Sequence, residues 1–222
     1  MTKPRPIPRP DYTRIARLEH ELGMNGQNPP PADRQQLIVG WGDVLDDENI
    51  AVDGYGRVFI ASTPGSHALG NITPGPGGYR MQIEMGYRAI GPDATLHSGL
   101  YFGRSSAETY RFGAPNGTPG YHLVMRQNGL MRLFRHVSGS AAGVALGGGD
   151  IRTRPPRADE AMTIEIDVTP TTVEARRLGD SSWTTGPILD VTHRGGHFGL
   201  SNGSVKDVSL RAFWDYLIVT EL

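Results

Sequence analysis

From Leu37 onward the chain repeats one pattern that narrows its fold more than any other feature. Short runs alternate apolar and polar residues one for one, and each is closed by glycine, proline, asparagine or aspartate. Met81, Ile83, Met85 and Tyr87 alternate with Arg80, Gln82, Glu84 and Arg88. Met162, Ile164, Ile166 and Val168 alternate with Thr163, Glu165, Asp167 and Thr169. Leu96, Leu100 and Phe102 oppose His97 and Tyr101, and Tyr121, Leu123 and Met125 oppose His122 and Arg126. A period of two sends successive side chains to opposite faces, so each run is a strand with one buried and one polar face, as in antiparallel sheets.

The pattern predicts strands near 37–41, 48–52, 57–62, 79–88, 96–104, 121–126, 130–137, 162–168, 172–177, 197–201 and 207–220. The last differs from the rest. Ala212, Trp214, Tyr216 and Ile218 fall on one side and Phe213, Leu217 and Val219 on the other, which predicts a central or covered strand. No helical period of useful length follows residue 40, so the body is a sandwich or barrel and not a parallel α/β sheet. The 30 glycines and 17 prolines suit a fold of many turns.

Residues 1–36 have another character. The first ten are proline-rich and extended; Asp11 then caps a helix from Tyr12 to Leu22, ended by Gly23 and followed by a Pro-rich linker. Ile15, Leu18 and Leu22 form one apolar stripe, suited to docking or oligomerisation, or to folding back on the domain. Two units are therefore expected, a tail at 1–36 and a β-domain at 37–222. A net charge of −1 gives no general attraction to nucleic acid, and the absence of cysteine rules out a disulfide framework. No apolar run is long enough to span a bilayer, and Met1–Pro6 lacks the apolar core of a secretory signal. Synthesis in a host cytoplasm, without membrane insertion, is the expectation.

The order of segments from Tyr79 resembles the concanavalin A-like lectin/glucanase superfamily in its laminin-G-like form. The echoes are His97-Ser98-Gly99-Leu100-Tyr101-Phe102-Gly103, Gly120-Tyr121-His122-Leu123-Val124 and a hairpin at Asn128-Gly129. Thr163-Ile164-Glu165-Ile166-Asp167-Val168 follows, and then the closing Gly196-His197-Phe198-Gly199-Leu200 and Ala212-Phe213-Trp214-Asp215-Tyr216-Leu217-Ile218-Val219. The resemblance implies an all-β, antiparallel two-sheet jelly-roll sandwich, with a short N-terminal α-helix ahead of it, that binds glycan or protein. Pro10 to Glu19 resembles the N-terminal segment of minor tail proteins of phages infecting actinobacteria. That implies a virion location, with other virion proteins or further copies of the chain as partners and a cell-surface glycan as ligand.

Glycoside hydrolysis needs two carboxylates on one face. Glu165-Ile166-Asp167 begins the glucanase pattern of the superfamily, but Thr169 or Pro170 stands where the last glutamate belongs, so no catalytic residue is assigned. A polysaccharide hydrolase or lyase, or a free carbohydrate-binding protein, is the alternative. His193 and His197 lack an evident third ligand for zinc. Asp43, Asp46, Asp47 and Glu48 form an acidic cluster of the kind that holds structural calcium, though turn chemistry explains it as well; no other cofactor is implied. The glycine-rich stretches Gly75–Gly78 and Gly147–Gly149 lack a P-loop ending and read as loops. The ligand-binding expectation falls on Arg80, Gln82, Glu84, His97, Tyr101, His122 and Arg126, which offer forked hydrogen bonds and a ring to stack on.

Overall fold

The computed structural model describes residues 36–39, 50–53, 55, 57–61, 66–93, 95–106, 118–138, 143–179, 183–202 and 205–222. Its strands are β1 (Gln36–Val39), β2 (Ile50–Val52), β3 (Val58–Ile60), β4 (Ser66–Asn71), β5 (Tyr79–Tyr87), β6 (His97–Arg104) and β7 (Gly120–Arg126). They continue as β8 (Leu130–His136), β9 (Val144–Arg152), β10 (Ala161–Val168), β11 (Thr172–Arg177), β12 (Ile188–Leu189), β13 (His197–Ser201) and β14 (Ala212–Glu221). Among the described residues, eight strands form one antiparallel sheet in the order β12-β11-β10-β5-β14-β3-β2, with β1 also paired to β14. Six form the other, in the order β4-β13-β6-β7-β8-β9.

The alternation explains why the two sheets stack. Met81, Ile83 and Met85 of β5, Ile164 and Ile166 of β10, and Leu217 and Val219 of β14 meet Leu100, Phe102, Leu123, Leu133 and Leu200 of the second sheet in one buried cluster. At about 25 cal/mol per Å² of apolar surface removed from water, this shared core is the main stabilising term. The expected two-sheet sandwich is what forms. β14 is central, as its two apolar sides imply, and β1 is one of its partners. The expected helix at 12–22, with Ile15, Leu18 and Leu22, lies outside the described residues, as does the Asp43–Glu48 cluster.

Several expectations need correction. β4, β9 and β12 were not legible, and Gly147–Gly149 belongs to β9 and not to a loop. An edge strand is held by backbone pairing, which needs no side chains, so β9 pairs with β8 despite its glycines. Gly147 takes φ +71°, the left-handed region, near an irregularity in that pairing. The faces of β14 also change part-way. A register shift between Trp214 and Tyr216 puts Ala212 and Trp214 into the core, then Leu217 and Val219, so Trp214 and Ile218 do not share a side. The start of the expected last strand is instead a 3-10 turn at Val208–Leu210, capped by Asp207 accepting from the Ser209 amide.

Candidate functional site

The residues expected to form one polar face lie on two. Arg80, Gln82 and Glu84 are on β5 in the first sheet, whereas His97, Tyr101, His122 and Arg126 are on β6 and β7 in the second. Both sets point away from the shared core, so the sandwich separates them. The pattern of alternation alone holds no information about which sheet a strand joins.

On the first sheet the register brings Arg80 opposite Asp167, Gln82 opposite Glu165, and Glu165 opposite Arg176. Arg80 donates to both oxygens of Asp167, at 2.6 and 2.7 Å, and Gln82 donates to Glu165 at 2.7 Å. Arg176 bridges Glu165 and Asp167 and reaches Glu174 at 3.2 Å. These oppositely charged cross-strand neighbours make a closed ladder. The carboxylates of the incomplete glucanase pattern are thereby taken up by arginine and amide donors.

On the second sheet Tyr101 faces His122 across β6–β7, and His122 faces Phe134 across β7–β8. Gly103, at φ +72°, sits beside a register shift between β6 and β13; Arg104 beyond it stacks over the Tyr101 ring at 5.1 Å. Tyr101 and His122 are both 0% exposed, so neither ring offers a stacking surface to a sugar. Burial, with His136 and His97 nearby, pushes the His122 imidazole well below its ordinary pKa. Burial and the His193 charge lower His136 to about 4.

The end of β6 and β7 is different. The cross-strand pair His97 and Arg126 opens onto a cavity of about 430 Å³, completed by Asp93, Thr95, Leu96 and Val205. That is within the roughly 300–1,000 Å³ of small-ligand pockets. Gln127 sets its shape. Its side chain accepts from the Gly91 amide at 2.8 Å and donates to the carbonyls of Ala89 and Leu210, both at 3.1 Å. One buried amide so ties the β5–β6 connection to the 3-10 turn before β14. On the rim, Asp93 Oδ1 accepts from the Thr95 amide at 2.9 Å and the Thr95 hydroxyl at 2.6 Å. These bonds hold the Asp93 carboxyl below its ordinary pKa, so it is an ionised acceptor whose Oδ2 carries no bond from Thr95. Burial and the Arg126 charge lower the His97 pKa, leaving a neutral imidazole beside the guanidinium.

No protein-family model and no curated protein matches the chain. Solved structures do. A point mutant of the Emp46p carbohydrate recognition domain superposes with a TM-score of 0.59 at 9% identity, covering 82% of this chain and 95% of that one. The VIP36 exoplasmic/lumenal domain, Ca2+-bound, gives 0.56 at 11%, covering 84% and 90%. A legume lectin-like domain from Entamoeba histolytica gives 0.55 at 12%, covering 78% and 87%. The sandwich has the concanavalin A-like lectin/glucanase fold. Identities this low carry the fold and nothing finer, so the function of this concanavalin A-like sandwich has to come from its own side chains.

Of the expected site residues, the structure brings His97 and Arg126 to the cavity and leaves Tyr101 and His122 buried further along the same sheet. Asp93, Thr95 and Gln127 were missed. The Asp93-Ala94-Thr95 stretch carries the turn chemistry of an acidic side chain bonding two residues on, a local signal that marks a turn without showing what it faces. His193, singled out with His197 for its spacing, donates from Nε2 to the His136 carbonyl at 2.7 Å.

Proposed function

We propose that the chain is a lectin-like module that binds glycan in the cavity between Asp93, His97 and Arg126. The observation that carries this reading is the cavity itself, where an ionised carboxylate, a neutral imidazole and a guanidinium converge on a space of about 430 Å³. Sugars are recognised through arrays of hydroxyls, and this set supplies both acceptors and donors to them. That Emp46p's matching part is a carbohydrate recognition domain supports the same reading. Titration calorimetry of the full chain against an oligosaccharide panel tests it. Asp93→Ala, at an exposed position, is expected to weaken the best ligand at least about tenfold with the melting temperature kept. An unchanged affinity would move the site elsewhere.

Glu165 and Asp167 are engaged by Arg80, Arg176 and Gln82, which favours binding over hydrolysis as the role of the domain. The virion setting rests on the resemblance of Pro10 to Glu19 alone. In that setting residues 1–36 dock on other virion proteins or on further copies through Ile15, Leu18 and Leu22. Light scattering of the full chain beside one starting at Arg34, which keeps β1, tests the docking role. An oligomer that becomes a monomer on truncation is the expected result; two monomers would remove self-association.

A further inference from the structure

Arg126 stands apart from most arginines of the sandwich. Arg57, Arg80, Arg135, Arg154 and Arg176 each hold a carboxylate. Arg194 and Arg211 donate to backbone carbonyls. Arg126, partly buried in the cavity wall, has no hydrogen bond or ion pair with any described residue, and its Nε is enclosed without an acceptor. The two terminal nitrogens of the guanidinium are not closed off in this way, so a ligand oxygen that reaches them gains a charge-assisted hydrogen bond, roughly twice as strong as a neutral one. Its cross-strand neighbour His97 adds no carboxylate to neutralise it.

Resting on the glycan-binding reading, we infer that this cavity selects a sugar bearing a carboxylate, a uronate, with that group on the Arg126 guanidinium and ring hydroxyls towards Asp93. Two features set this choice. The flat fork of a guanidinium matches a planar carboxylate through two parallel hydrogen bonds. Asp93 at the rim repels a ligand that is anionic along its whole length, yet accepts hydroxyl protons. The cavity therefore has a cationic wall and an acceptor rim, the complement of one acidic substituent on an otherwise neutral ring. Among the described lining residues the His97 imidazole is the one ring, and there is no Phe, Tyr or Trp, so charge and hydrogen bonds carry the discrimination.

The test is titration calorimetry of the full chain with neutral oligosaccharides that carry a single galacturonate, glucuronate or mannuronate residue, each beside its fully neutral counterpart and a singly sulfated one. The expected result is at least tenfold tighter binding of one uronate than of its neutral counterpart. Arg126→Gln should erase that preference, weakening the uronate at least about tenfold more than its neutral counterpart. Arg126→Lys, which keeps the charge and loses the fork, should retain part of it. Melting curves of both variants confirm that they fold. Equal affinity for neutral and uronate forms, or tightest binding of the sulfated form, overturns the inference while glycan binding stands. A chain that binds none of the panel overturns both.

Discussion

At the residue scale, Gln127 has the largest structural consequence for its size. It is 1% exposed, and its single side chain satisfies one amide and two carbonyls drawn from two connections around the cavity. Gln127→Ala leaves those backbone groups without their partner, and a buried unmade hydrogen bond costs about 1–3 kcal/mol. The expected outcome is a loss of about 2–4 kcal/mol in urea denaturation, with weaker glycan binding as the cavity wall loosens. Unchanged stability would show that water replaces the amide. Gln127 is read as an ordinary polar residue beside a hairpin in the sequence, because its partners are 36, 38 and 83 residues away.

At the scale of elements, β14 and the β5–β10–β11 ladder carry the argument. The irregularity at Asp215 lets one strand put Trp214 and then Leu217 into the same core. Deleting Asp215 removes the extra residue and leaves Ala212, Trp214, Leu217 and Val219 in strict alternation on the core face. The deletion is therefore expected to keep the packed core. A native near-ultraviolet circular dichroism spectrum would report it, and loss of that spectrum would refute it. The ladder makes a separate prediction. Glu165, with a side chain 5% exposed, is held by Arg176 and Gln82, so Glu165→Gln should destabilise the chain by up to about 3–5 kcal/mol. The same variant should leave glycan affinity unchanged, since Glu165 is in the sheet opposite to the cavity. The strands of this ladder were legible because each alternates cleanly. β9 and β12 were not, because glycine-rich or very short edge strands carry too few side chains to show a period.

At the scale of the whole molecule, the histidines give the sandwich an acid limit. Burial lowers His97, His122, His136 and His193, and His136 lies at about 4. A lowered imidazole pKa means that the unfolded chain binds more protons than the folded one below the ordinary value of about 6.5. The stability these groups confer by remaining neutral is therefore whole above pH 6.5 and falls as the pH drops towards their folded pKa values. Between pH 6.5 and about 4, His136 accounts for a loss on the order of 1–2 kcal/mol after solvent screening of the partly exposed ring. The urea midpoint should fall clearly from pH 7.5 to pH 5, before the carboxylates begin to titrate. Asp190 does so only far lower; burial pushes its carboxyl up, but hydrogen bonds from Tyr121, Thr192 and Arg135 outweigh that and hold it at about 2. A midpoint independent of pH over this range would refute the account.

The amino-acid sequence by itself determined the strand content, the buried face of each clean strand and the sandwich class, because a period of two is a local property that the backbone geometry converts directly into faces. Only the tertiary structure decided which strands share a sheet, and thereby that Arg80, Gln82 and Glu84 stand apart from His97 and Arg126. It also decided that Tyr101 and His122 are buried and that a cavity opens at Arg126, because burial and charge partnership depend on residues far along the chain.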